Sequence, residues 1–174
     1  MKITTTFLFL LLGVLSSCGT TPVETNTDEL NTRQDAIIAQ YFNENKITTF
    51  QKHSSGFYYT ISVDNSNIVP SLGDSLSINY TGNVLYGKVF DSNLNRQPYQ
   101  AYNFRYLREK SNPQSSPPLI AFQDAAALLA KGEKGTFYFP SRLLYASNPP
   151  QSNPIIPPNT ILVFEIEILD IFRQ

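Results

Sequence analysis

The stretch Ile155-Ile156-Pro157-Pro158-Asn159-Thr160-Ile161-Leu162-Val163-Phe164-Glu165-Ile166-Glu167-Ile168-Leu169 decides how the rest of the chain reads. Two prolines and an Asn close a loop, and from Ile161 onward the side chains alternate. Leu162, Phe164, Ile166 and Ile168 fall on one face and Glu165 and Glu167 on the other, which predicts a long strand, Ile161 to Ile171, buried on one side. Such a strand needs partners, and the same period-two pattern supplies them upstream. Gly135 to Phe139 reads as a strand. Leu76, Ile78 and Tyr80 alternate with Ser75, Ser77 and Asn79, and Phe57, Tyr59, Ile61 and Val63 alternate with Tyr58, Thr60 and Ser62. Val84 to Phe90 reads as one more strand, broken at Tyr86-Gly87. Phe122 to Ala130 is a short Ala-rich helix, ended by Lys131-Gly132 with glycine at the position a helix C-terminus favours. A second helix is predicted from Thr32 to Lys46, with Thr32 as cap, Asp35 three residues on, and an apolar stripe of Ile37, Ile38, Tyr41 and Phe42. It reads as a helix packed on the domain, in preference to a dimerisation arm. Gln100 to Pro118 and Ala146 to Asn159 read as long loops, the second holding five of the twelve prolines. Few helices among antiparallel-looking strands make the fold class α+β, a sheet with a helix on one face.

Composition removes several kinds of chemistry. The 174 residues include one Cys, one His and no Trp, but 12 Phe and 10 Tyr. One Cys forms no intrachain disulfide, and one His with one Cys makes no zinc site of the usual ligand set, so no metal and no cofactor is expected. His53 stands alone, ahead of the domain, and reads as a surface residue. Thirteen Lys and Arg against fourteen Asp and Glu leave no basic footprint for nucleic acid.

The N-terminus carries a different signal. Lys2 precedes the apolar run Phe7-Leu8-Phe9-Leu10-Leu11-Leu12-Gly13-Val14-Leu15, too short to span a bilayer, followed by small Ser16 and Ser17 and then the only Cys. Leu15-Ser16-Ser17-Cys18 resembles the lipobox of bacterial lipoproteins. That resemblance implies a signal peptide over residues 1–17, lipidation of Cys18 and a membrane anchor through it. Residues 18–31, polar and Thr-rich from Gly19 to Leu30, would be a flexible tether, 32–54 an N-terminal helical extension, and 55–174 the domain proper. The location implied is the cell envelope. Gly19, in place of an acidic retention residue of the enterobacterial kind, points to the outer membrane.

Five blocks in the domain carry a second resemblance. Asn79-Tyr80-Thr81-Gly82, Gly87-Lys88-Val89-Phe90-Asp91-Ser92, Gly132-Glu133-Lys134, Pro140-Ser141-Arg142-Leu143-Leu144-Tyr145 and the C-terminal stretch quoted above stand in the order found in FKBP-type peptidyl-prolyl isomerases. Together they cover most of Ser55 to Ile171. The resemblance implies a twisted antiparallel sheet wrapped around one short helix, with the pocket between them and the N-terminal helix as an addition. It implies cis/trans isomerisation of X-Pro bonds, with proline-containing polypeptides as substrates and macrolides as ligands. The chemistry suits a chain without thiol, metal or imidazole to spare. The barrier of roughly 18–20 kcal/mol comes from amide resonance, and a dry apolar pocket favours the twisted amide, whose charge separation is reduced.

Matched residue by residue, the resemblance places Phe90, Tyr99 and Phe164 as walls around the prolyl ring and Phe122 as the floor, where most members have Trp. Tyr145 would give its hydroxyl to a substrate carbonyl. Asp91 would sit near the twisting carbonyl and orient Tyr80 and Arg96. Leu119 or Ile120 would offer a backbone N–H, and Ile156 completes the set. Four of them have a plainer explanation. Phe90 and Phe164 lie on alternating strands and suit any β core, Tyr80 ends a strand, and Asp91 opens Asp91-Ser92-Asn93, a run common in turns. The chain also departs from the family pattern. It has Pro118-Leu119-Ile120-Ala121 where a glycine is usual before the floor residue, a longer Gln100–Pro118 connection, and Ala146 where glycine is usual. The altered floor and loops leave a second possibility, a module that grips prolyl segments with little catalysis as a chaperone. A remoter one is a structural envelope lipoprotein with a decayed pocket.

Overall fold

The computed structural model describes residues 27–62, 68–108 and 119–173. The signal peptide, Cys18 and residues 18–26 of the tether lie outside them. Within them are two α-helices, α1 (Thr27–Glu44) and α2 (Ile120–Ala126). Seven strands accompany them: β1 (Gln51–Lys52), β2 (Tyr58–Ile61), β3 (Ser75–Val84), β4 (Val89–Ser92), β5 (Tyr102–Arg105), β6 (Lys134–Phe139) and β7 (Leu162–Phe172).

All pairings are antiparallel. The sheet runs β1-β2-β6-β7-β3-β4, with β5 also on β3. β7 is the axis, paired with β6 on one side and with ten residues of β3 on the other. Its alternation divides the molecule as the sequence predicts: Leu162, Phe164, Ile166 and Ile168 face inward, and Glu165 and Glu167 outward. On the inner side, α2 lays Ala121, Phe122, Ala125 and Ala126 against them. The small alanines let the helix lie close, and Leu76, Ile78, Phe137 and Phe139 complete the core.

α1 covers part of the outer face. Ile38 and Phe42 are buried against Leu85, Tyr138, Ile161 and Val163, so this helix closes a second core on the reverse side of the sheet. Its buried stripe is Gln34–Ile38–Phe42, one residue every turn, with Ile37 and Tyr41 at the margin. The packing-helix reading therefore stands.

Several expectations change. Residues 27–31 belong to α1, not to a tether, and Asp28 and Glu29 suit its first turn. Thr32 is no cap: it lies inside the helix, and its hydroxyl donates to the Asp28 carbonyl one turn back. Asp35, also internal, accepts from Lys52 Nζ at 2.9 Å. Tyr86-Gly87 does not break a strand. It turns a hairpin between β3 and β4, with Tyr86 in left-handed backbone at φ 59°. α2 starts two residues earlier than predicted and stops at Ala126. Tighter turns follow, and Gly132, at φ 84°, ends those turns. The Gln100–Pro118 segment is not wholly loop: Tyr102–Arg105 is β5, because Tyr102 and Phe104 alternate and pack against the core. Residues 109–118 lie outside the described set, as does Val63.

Phe42→Ala is expected to cost about 3–5 kcal/mol of stability, the usual range for emptying a buried Phe site. Calorimetry should show one transition at a lower midpoint. A separate early transition, with the main one unmoved, would show that α1 is an appendage and not part of the cooperative unit.

Candidate functional site

β3 shares its free edge between two strands. Its first half, Ser75–Ile78, pairs with β5, and its second half, Thr81–Asn83, with β4. The gap at residues 79–80 is filled by one buried side chain, Asn93. Its Oδ1 accepts from the Tyr80 N–H at 2.8 Å, and its Nδ2 donates to the Ile78 carbonyl at 3.2 Å and to the Gln100 carbonyl at 3.2 Å. The side-chain amide thus replaces a stretch of strand and ties the end of β4 to the start of β5. A cavity of about 280 Å³ opens beside this junction, between the sheet and α2.

Its lining is Tyr80, Phe90, Asp91, Arg96, Tyr102, Leu119, Phe122, Leu144, Tyr145 and Phe164. Phe164 is the hub. Phe122 meets it edge-on at 5.0 Å between ring centres and Phe90 at 5.4 Å, while Tyr80 stands edge-on to Phe122 at 5.9 Å. Edge-to-face contacts of this kind hold rings in fixed orientations. Phe90 reaches the cavity because β4 bulges there: Gly82 pairs with Asp91 and Asn83 with Val89, leaving Phe90 unmatched. Gly82 then makes the ring's place possible. A Cβ on it would stand 2.7 Å from Phe90 Cζ and 2.8 Å from Phe164 Cε1.

One polar group interrupts the aromatic wall. The Tyr80 hydroxyl donates to Asp91 Oδ2 at 2.7 Å, and Arg96 Nη2 donates to Asp91 Oδ1 and to the Tyr80 oxygen, both at 3.1 Å. Asp91 remains 43% exposed, so its carboxylate is oriented yet still open to the cavity. Burial, then the bond to Asp91, pushes the Tyr80 phenol well above its ordinary value. Burial first and the Asp91 charge second raise the Tyr102 and Tyr145 phenols above theirs. All three therefore keep their protons at neutral pH, and Tyr80 spends its own on Asp91.

Of the residues named from sequence, Tyr80, Phe90, Asp91, Arg96, Leu119, Phe122, Tyr145 and Phe164 come together here. Three do not line the cavity. Tyr99 is 51% exposed and turned to the outer face, where its hydroxyl donates to Asn79 Oδ1 at 2.6 Å. Ile120 is the first residue of α2 and is not part of the lining, leaving Leu119, at the helix N-cap, as the one beside the cavity. Ile156 is buried in the core behind the rings. Tyr102, Leu144 and Asn93 were not anticipated. The alternation of Tyr102 and Phe104 is a sequence signal for the first. Asn93 gives none, because Asp91-Ser92-Asn93 reads as a turn. His53 lies away from the cavity, stacked on Phe57 at 4.5 Å.

The family model for the FKBP-type peptidyl-prolyl cis-trans isomerases matches residues 66–169. FK506-binding protein 2 of Candida glabrata is 34% identical over 104 residues, 59% of this chain and 68% of that protein. The FKBP-type 22 kDa peptidyl-prolyl cis-trans isomerase of Escherichia coli is 26% identical over 155 residues, covering 82% and 69%. Among solved structures, a peptidyl-prolyl cis-trans isomerase from Pseudomonas syringae pv. tomato superposes with a TM-score of 0.64 at 20% identity, over 87% of this chain and all of that one. The chain belongs to the FKBP-type peptidyl-prolyl cis-trans isomerase family and is an enzyme of that type.

Gly82→Ala is expected to lower kcat/KM for an Xaa-Pro peptide about tenfold, since the added methyl must displace the Phe90 or Phe164 ring, and to cost about 1–3 kcal/mol as overpacking does. Peptide kinetics and thermal melts on the same sample check both. Unchanged kinetics would mean that the position of Phe90 does not matter.

Proposed function

We propose that this member of the FKBP-type isomerase family acts on X-Pro bonds of exported polypeptides in the cell envelope, with the 280 Å³ aromatic cavity as its catalytic site. The observation that supports the site most is the joint placement of the Phe90, Phe122 and Phe164 rings around one oriented carboxylate, Asp91. The prolyl ring enters between Phe90 and Phe164 and rests on Phe122. Water leaves, and the amide loses the solvent that stabilises its planar, charge-separated form. Asp91 adds to this. A fixed negative charge near the carbonyl disfavours the resonance form that places charge on oxygen, and the twisted amide, with less charge there, is favoured relative to it. Tyr145 gives its hydroxyl to a neighbouring substrate carbonyl, and a backbone N–H beside Leu119 holds another, so the chain on one side of the bond stays fixed while the other rotates. The barrier is lowered without nucleophile or base. Phe122 in the place of the family's usual Trp keeps an apolar floor and lacks an indole donor.

The envelope assignment rests on Phe7 to Cys18, read as a lipoprotein signal with acylation at Cys18 and the outer membrane as destination. The domain would then work at a membrane surface, where unfolded exported chains arrive. FK506-type macrolides would compete for the same cavity.

Two measurements check the proposal. In a proline-limited refolding assay with residues 19–174, the wild type is expected to accelerate the slow phase, and Asp91→Ala or Phe90→Ala to lose at least about tenfold, roughly 1.4 kcal/mol of barrier. Acceleration that survives both substitutions would place the chemistry elsewhere. Peptide binding without acceleration would favour the chaperone module. For the anchor, the full chain expressed in a lipoprotein-processing bacterium should partition into detergent, and Cys18→Ser should move it to the aqueous phase. Equal partitioning of the two would refute lipidation at Cys18.

A further inference from the structure

Gln34 lies on α1, ahead of the segment matched by the family model, yet its side chain is buried and ends at the base of the loop that carries Tyr145. Its Oε1 accepts the Ser141 N–H at 2.8 Å. Its Nε2 donates to Ser141 Oγ at 3.0 Å and to the Asn159 carbonyl at 2.8 Å. Ser141 is where the chain leaves β6 toward Leu144 and Tyr145, and Asn159 is where it returns before β7. Two backbone bonds complete a closed circuit: the Ala146 N–H donates to the Ser141 carbonyl at 2.8 Å, and the Asn159 N–H to the Ala146 carbonyl at 2.7 Å. Gln34 is the only member of that circuit from outside the loop.

Ala146 and Asn159 both hold left-handed backbone, at φ 49° and 56°. Asn tolerates that region, but alanine does not adopt it readily, so something must hold Ala146 there. A non-glycine residue in a disfavoured conformation persists where surrounding contacts over-determine it. The circuit does this for Ala146, which directly follows Tyr145. We propose that Gln34 is a positioning residue of the isomerase. By stapling both ends of the Ser141–Asn159 loop to α1, it keeps Ala146 left-handed and the Tyr145 hydroxyl aimed into the cavity. The N-terminal helix is thereby part of the catalytic apparatus and not only a cover for the sheet. This rests on the assignment of Tyr145 made above.

The test measures kcat/KM for an Xaa-Pro peptide, with thermal melts, on the full chain and its variants. Gln34→Ala is expected to lose about five- to tenfold, the scale of one or two buried hydrogen bonds felt at the site. Ala146→Gly, which removes the backbone penalty, should restore most of that loss in the double variant. In a Tyr145→Phe background, Gln34→Ala should cost less than about twofold more, because both act through one hydroxyl. The proposal is overturned if Gln34→Ala lowers the melting point while kcat/KM stays within about twofold of wild type, if Ala146→Gly rescues nothing, or if the full loss persists in the Tyr145→Phe background. Should Gln34→Ala not fold, Gln34→Glu carries the same test. It keeps the acceptor for the Ser141 N–H, loses the donor to Asn159, and must show the same rescue and the same dependence on Tyr145. If Tyr145→Phe alone is silent while Asp91→Ala is not, the Tyr145 assignment falls and this inference with it, whereas the cavity remains the site.

Discussion

One buried amide determines how the aromatic cavity is built. β3 is too long for either of its edge partners, and the change from β5 to β4 leaves the Tyr80 N–H and the Ile78 carbonyl without a strand to bond. Unpaired backbone groups inside a protein are costly, so a side chain must serve them. Asn93 serves both, because an amide presents a donor and an acceptor side by side as a peptide group does. The consequences spread outward. Holding Asn93 also holds Asp91 two residues earlier and Arg96 three residues later, and these two meet at the Tyr80 hydroxyl. The polar corner of the cavity thus follows from a repair in the sheet.

The apolar side of the cavity follows from steric rather than polar demands. Phe164 is placed by the central strand, Phe122 by a helix whose alanines allow close approach, and Phe90 by a bulge over a residue with no side chain. None of the three rings depends on a long flexible loop. The loop between Ser141 and Asn159 is the exception. It brings Leu144 and Tyr145 to the rim without a strand or an α-helix of its own, and it is held instead by discrete bonds. Gln34 and the Ala146 backbone hold its base, and Asn153 Nδ2, donating to the Phe90 carbonyl at 3.0 Å, holds its far side. A rigid floor with a pinned rim suits a reaction in which one half of the substrate is gripped and the other turns.

The parts legible in sequence were those with a period. The inward set of β7, the alternation of β3 and the helix that became α1 all repeat over many residues, and burial followed the pattern. Phe90 and Phe164 could be named because they belong to ordered motifs, and Phe122 because it stands in the short Ala-rich helix where the family carries its floor residue. What escaped depends on contacts between distant segments. Asn93 looks like a turn residue until the split edge of β3 is known. Tyr99 resembles a wall until Asn79 is seen to take its hydroxyl on the other face. β5, only four residues long, was hidden in a polar stretch, and Tyr102 with it. Gln34 sits in an amphipathic helix where a polar residue suggests solvent, and only the fold brings Ser141 and Asn159 to it. Helix ends misread for a related reason. Thr32 satisfies a capping pattern locally, yet the helix already begins a turn earlier, where Asp28 and Glu29 suit its first turn.

The central claim is that this cavity, and no other surface, turns prolyl bonds. NMR exchange spectroscopy on a short Xaa-Pro peptide tests it directly, with substoichiometric protein and assigned aromatic resonances. The expected result is cis–trans exchange sped well beyond the uncatalysed rate of tens to hundreds of seconds, with shift changes centred on Tyr80, Phe90, Phe122, Tyr145 and Phe164. Exchange that stays slow, or acceleration with those rings unperturbed and changes confined to the outer face around Lys134, Glu165 and Glu167, would contradict it.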